Sequence, residues 1–162
     1  MRWCVLDTNV LVVANGRDTH ATDQCRLAAI RCLRSVQQAN KAVIDSLGHI
    51  IDEYRKYCVH SGKPDVGDQF FMWLVQSQGS IKTADLEPHP ERGYEEFPDD
   101  PELASFDQDD RKFVAAALAA GPDTDVINAV DSDYQAFAGA LAAAGVSVVE
   151  LCQDELKAFD TR

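Results

Sequence analysis

The chain has 162 residues, 46% of them apolar, and 27 acids against 15 lysines and arginines give it a net charge of -12. That length suits one domain burying about two-thirds of its unfolded surface. The charge argues against a general basic nucleic-acid binder, and no apolar run reaches the ~18 residues that a membrane span needs. Met1 and Arg2 lead into a strand without a signal-like start. The five cysteines (Cys4, Cys25, Cys32, Cys58, Cys152) are odd in number and contain no Cys-x-x-Cys pair. They predict reduced thiols in a cytoplasm, with neither a disulfide frame nor a zinc site. The four histidines are scattered, and none has His-x-x-x-His spacing.

In chain order, Trp3 to Leu6 is a continuous apolar strand, as in a parallel sheet covered on both faces. It ends at Asp7, where open α/β folds hold ligands. The plainer role for Asp7 is to cap the short helix Thr8–Asn15, which Asn15-Gly16 closes. Thr22-Asp23 opens a helix to about Asn40, with Leu27, Ile30, Leu33 and Val36 on its apolar side and Cys25 and Cys32 as small buried side chains. Lys41–Asp45 is a second strand that also ends in an acid. A helix from Ser46 to about His60 turns Leu47, Ile50, Ile51, Tyr54 and Cys58 inward. Glu53 lies about 120° from the centre of that face, at its border. After Gly62-Lys63-Pro64, a helix spans Asp65–Gln78 with Phe70, Phe71, Leu74 and Val75 inward, and Ser80–Ala84 is a short strand.

Residues 85 to 110 carry eleven acids against the single base Arg92, broken by four prolines. Like charge and proline oppose packing, so 85–105 is expected to be an acidic surface loop inside the one domain. A helix follows, capped by Asp107, with Asp110 at its third position and a small apolar body closed by Gly121-Pro122. Acids in a first turn also suit the helix dipole without any further role. Thr124–Val130 is a strand leading to Asp131-Ser132-Asp133-Tyr134. A helix over Tyr134–Ala144, a last strand over Val146–Leu151 and a short helix or tail from about Gln153 complete the chain. Alternating strands and helices predict a single α/β domain over 1–162, a three-layer α/β/α sandwich around a mostly parallel sheet of four to five strands.

Each acid has an ordinary reading alone; together they form a pattern. Asp7 and Asp131 close strands, Asp110 opens a buried helix, and Glu53 rides a helix that packs on the sheet. Strand ends and helix starts share one edge of a parallel sheet. Four carboxylates meeting there at about 4 Å would repel by several kcal/mol, and no lysine or arginine travels with each of them. A divalent cation resolves that repulsion, and an all-oxygen donor set selects Mg²⁺ or Mn²⁺ over zinc. Asp109 and the strand-end Asp45 are further acids that the pattern leaves open.

Asp7-Thr8-Asn9-Val10-Leu11 after a first strand, Glu53-Tyr54-Arg55 in a helix, Asp110 in Asp-Asp-Arg-Lys-Phe-Val-Ala-Ala-Ala-Leu, and Asp131-Ser-Asp133-Tyr resemble the ordered signature of PIN-domain nucleases. That family includes the VapC-type ribonuclease toxins. The resemblance spans roughly residues 2 to 151. It implies a Mg²⁺- or Mn²⁺-dependent endoribonuclease, with RNA as substrate and an antitoxin protein and a homodimer as expected partners. Asp7, Glu53, Asp110 and Asp131 would hold the metal and carry catalysis, with Asp133 as a further candidate ligand. Thr8 and Asn9 would support them. Arg55, Lys56, Arg111 and Lys112 adjoin the acids and are candidates for contacts to the RNA backbone, although the ordinary place of such residues is the solvated surface.

Two other classes fit parts of the pattern. A haloacid-dehalogenase-type phosphatase also begins with an aspartate after its first strand, but needs a second acid two residues on, where this chain has Asn9. A non-catalytic PIN module would bind RNA or a protein and show no affinity for Mn²⁺.

Overall fold

A computed structural model describes residues 1–59 and 62–153. The chain opens with β1 (Trp3–Leu6), α1 (Thr8–Ala14), α2 (Asp23–Ala39), β2 (Val43–Asp45), α3 (His49–Tyr57) and α4 (Val66–Gln76). Then come β3 (Lys82–Ala84) and the two-residue strands β4 (Pro88–His89) and β5 (Gly93–Tyr94). The last part holds α5 (Arg111–Ala120), β6 (Thr124–Asn128), α6 (Asp133–Ala136), α7 (Ala138–Ala143) and β7 (Ser147–Glu150).

The architecture is mixed α/β with parallel sheets. β1, whose Cys4, Val5 and Leu6 are buried, pairs in parallel with β6, Trp3 facing Thr124 and Leu6 facing Ile127. β6 in turn pairs in parallel with β7. β2 and β3 form a second parallel pair. An isolated parallel bridge between Cys4 and Ala42, with Cys4 N–H donating to Lys41 O at 2.8 Å, sets that pair beside β1. The carboxyl end of β1 therefore lies next to those of its neighbours, and α1 starts there. α1 packs on α2, α3 and α4, while α5 runs along β1, β2, β3 and β6. Gly67 lets α4 approach α1 closely: a Cβ there would stand 2.3 Å from Leu11 O.

Several expectations change in detail. The buried face of α2 is Cys25, Ala29, Leu33 and Val36, while Leu27 is 44% exposed. Spacing of four, four and three follows the 3.6-residue turn, whereas a strict three drifts off the core face. α3 begins at His49, leaving Leu47 exposed. The single helix expected over Tyr134–Ala144 is split into α6 and α7 at Phe137, whose ring meets Phe106 edge-on at 5.4 Å. α3 ends at Tyr57, with Cys58 already extended, short of the expected end near His60; the segment after Gln153 lies outside the described residues.

The acidic stretch 85–105 is not a free surface loop. Leu86, Tyr94, Phe97 and Leu103 anchor it in the core, and β4 pairs antiparallel with β5. Asp85, Glu87, Glu91, Glu95, Asp99 and Glu102 are exposed between these anchors, so charge density and packing coexist in one stretch.

The all-thiol expectation is overturned. Cys25 and Cys152 form a disulfide, while Cys4, Cys32 and Cys58 are free. Because disulfides persist mainly in oxidising compartments, the step from cysteine pattern to a reducing cytoplasm loses its basis. Among the described residues no helix is long and apolar enough to cross a membrane.

Candidate metal centre

Asp7 is held at the end of β1 by its own N–H, which donates to Ile127 O at 3.0 Å. Its carboxylate caps α1, accepting from Asn9 N–H at 2.9 Å through Oδ1. The other oxygen accepts from the Tyr134 hydroxyl at 2.8 Å. The capping role and the candidate-site role thus belong to the same side chain, with only 4% of the residue exposed.

Asp110 arrives by a different local device. Asp107 caps a 3-10 turn over Gln108–Asp110 by accepting from Asp109 N–H, and that turn runs directly into α5. Arg111 clamps the turn from inside. It is 4% exposed, and its guanidinium donates to the carbonyls of Phe106, Ala104 and Arg92 while lying over the Phe97 ring. Asp131 follows β6 in a turn built by Asn128, whose Oδ1 accepts from Asp131 N–H at 3.1 Å and whose Nδ2 donates to Asp131 O at 2.7 Å. Asn9 ties this turn to α1, donating to Asn128 Oδ1 at 2.8 Å and accepting from Ala129 N–H at 2.9 Å.

The outcome is a cleft of about 330 Å³ whose walls include Asp7, Glu53, Asp107, Asp109, Asp110 and Asp131 and, among the described residues, no lysine, arginine or histidine. One carboxylate oxygen each from Asp7, Asp110 and Asp131 lie within 4.8 Å of one another. A second such trio, Asp107, Asp110 and Asp133, shares Asp110. Asp110 Oδ2 is buried and accepts no hydrogen bond. Among the described residues no cation forms an ion pair with Asp7, Asp110 or Asp131.

The protonation equilibria record this shortage of positive charge. Burial pushes Asp110 up to about 9, and Asp7 and Asp131 push in the same direction. Burial likewise raises Asp7 to about 7, with Asp131 and Glu53 adding to it, although Asn9 N–H and the Tyr134 hydroxyl pull it down. Asp133 is raised by desolvation and then by Asp131 and Asp107.

No family model, no curated protein and no solved structure matches this chain. The site is therefore judged on its chemistry. Oxygen-only donors, three of them convergent, one with a buried unshared oxygen and none neutralised, fit a hard divalent ion such as Mg²⁺ or Mn²⁺.

Glu53 lines the cleft but stands outside the close trio. One of its oxygens takes the Thr8 hydroxyl and the other takes Lys112 Nζ at 2.7 Å. Lys112 also donates to Asp109 O, so this lysine reaches the site through Glu53. Asp45 is not part of the cluster: its carboxylate accepts the N–H groups of Leu47, His49 and Ile50 and caps α3. Arg111 is buried structure, so a role in holding substrate is closed to it. Arg55 pairs with Asp52 and lines a different cavity, beside Asp45 and Ser46. Four residues of the site were missed in the sequence: Asp107, Asn128, Tyr134 and Glu150, the last accepting from Asn128 Nδ2 at 2.6 Å. The Asp-x-Asp-Tyr run pointed towards Tyr134; nothing local pointed to Asn128 or Glu150.

Proposed function

We propose that this chain is a divalent-metal-dependent phosphodiesterase of PIN-like type that hydrolyses RNA. The observation that carries the proposal is the convergence of Asp7, Asp110 and Asp131 within 4.8 Å with, among the described residues, no ion pair to neutralise them. Like charges this close in a buried setting are costly. They come from three separate elements, and each is positioned by its own hydrogen bonds. The bridge from Cys4 to Ala42, giving the strand order β3-β2-β1-β6-β7, supports the five-stranded PIN-like sandwich.

Asp7, Asp110 and Asp131 would hold the ion, with Asp133 and Asp107 beside Asp110. When bound, Mg²⁺ or Mn²⁺ supplies Lewis acidity towards water and towards a phosphate oxygen. The protein supplies position. Tyr134 and Asn9 N–H fix both oxygens of Asp7, and the Arg111 clamp fixes the turn that carries Asp110. Thr8 and Lys112 hold Glu53 at the wall, where its carboxylate could orient water.

Incubating the protein with single-stranded RNA, with Mn²⁺ or with EDTA, tests this reading. Mn²⁺-dependent cleavage that disappears in Asp110→Asn is expected; cleavage that survives both EDTA and Asp110→Asn overturns it.

A further inference from the structure

The acid cleft has a neighbour of different character. A cavity of about 360 Å³ shares Glu53, Tyr57 and Asp109 with it and adds His49, Lys56 and Lys112. The second cavity brings two lysines and a histidine up to three acids, Asp52, Glu53 and Asp109. Lys112 is committed to Glu53 and Asp109 O. Lys56 is exposed and, among the described residues, forms no ion pair. The His49 ring meets Tyr94 Oη through Nδ1 at 2.7 Å, which leaves Nε2 turned to other partners. Tyr57, the last residue of α3, is 53% exposed and stands on the boundary between the two cavities. An aromatic face left in water beside an unengaged ammonium is the arrangement that accepts an unpaired base and its phosphate.

We propose that this cavity seats the nucleotide next to the scissile phosphate of a single-stranded RNA. Tyr57 is the stacking platform, Lys56 contacts the backbone phosphate, and His49 Nε2 reaches the sugar or base edge. This deepens the nuclease reading and rests on it for the identity of the substrate. The two cavities adjoin, so on a chain with a net charge of -12 the strand would meet Lys56 beside the ion rather than a broadly basic surface.

The test is fluorescence anisotropy with a labelled hexaribonucleotide in Mg²⁺, on full-length protein carrying Asp110→Asn. That background reads binding whether or not the wild type cuts, so failure of this cavity and failure of the nuclease reading are told apart. Adding Tyr57→Ala weakens binding about fivefold or more, and Tyr57→Phe retains it. Adding Lys56→Ala lowers the slope of log affinity against log salt by about 0.7, the value for one lost single-strand phosphate contact. Arg31→Ala, on the exposed side of α2, leaves both quantities unchanged. In the wild-type background, Tyr57→Ala raises KM with little effect on kcat. The inference is overturned if Tyr57→Ala and Lys56→Ala bind as well as their parent, if Arg31→Ala weakens binding equally, or if a duplex of the same sequence binds as tightly as the single strand.

Discussion

Asp68 and Asp7 are both buried aspartates at the start of a helix, 0% and 4% exposed, and the chain treats them oppositely. Asp68, in the first turn of α4, takes the Arg17 guanidinium through both oxygens, the N–H groups of Val59 and Asp65, and Asn15 Nδ2. Burial alone would raise its pKa, but Arg17 and these N–H donors outweigh that and hold it below the usual range. Asp7 receives one N–H and one hydroxyl, faces two further carboxylates, and is raised. A buried acid that serves the fold is completed from within the chain. The Asp7 cluster is left short of positive charge, and that shortage is what a cation from solution would fill.

The sharpest way to break this contrast is to remove one charge from each centre. Asp110→Asn abolishes Mn²⁺-dependent RNA cleavage while the chain stays folded, checked by gel assay alongside circular dichroism. Asp68→Ala does the reverse. It strands Arg17 and several N–H donors and costs about 3 kcal/mol of stability in a urea melt, with cleavage by the remaining folded fraction unchanged.

Metal addition separates the centres next. Mn²⁺ at a hundredfold excess over its Kd raises Tm by about 5–10 °C in the wild type and in Asp68→Ala, and leaves Asp110→Asn almost unmoved.

pH separates them with opposite sign. Burial and neighbouring carboxylates raise Asp7 to about 7 and Asp110 to about 9 in the folded chain, above the ordinary carboxylate range. Their stabilisation of the metal-free protein is complete below the ordinary carboxylate range and is lost as pH rises through 7 and 9. Asp68 is lowered, so its contribution is present above the ordinary carboxylate range and is lost on acidification. A pH series of melts in EDTA therefore has an alkaline limb that Asp110→Asn flattens and an acid limb that Asp68→Asn flattens. A single limb removed by either variant would merge the two centres.

The smallest effect concerns support. Tyr134→Phe deletes one donor to Asp7 and weakens Mn²⁺ binding about tenfold, measured by calorimetry, because the hydroxyl holds a ligand oxygen in place.

The candidate site was legible where it is local. Asp7, Asp110 and Asp131 each stand at an element boundary that apolar runs, caps and turn residues mark within a few positions. What escaped depends on distant chain. The Lys112–Glu53 pair joins residues 59 apart, and the Tyr134–Asp7 hydrogen bond joins residues 127 apart. The anchors of 85–105 hid for another reason: Leu86, Tyr94, Phe97 and Leu103 follow neither helical nor strand spacing, so composition outweighed them. The fold class followed from alternating elements, whereas the disulfide partner of Cys25 could not be chosen among four other cysteines by spacing alone.

The bond between Cys25 and Cys152 closes most of the chain into a covalent ring. Glu53, Asp110 and Asp131 belong to that ring; Asp7 sits on the linear arm that precedes it. Proteolytic nicking has unequal consequences as a result. One cut inside the ring leaves every acid tethered in a single molecule until a reductant is added. One cut at the exposed Thr19-His20 step releases the arm that carries Asp7 from any covalent hold, and β1 then stays only by its ladder and its packing.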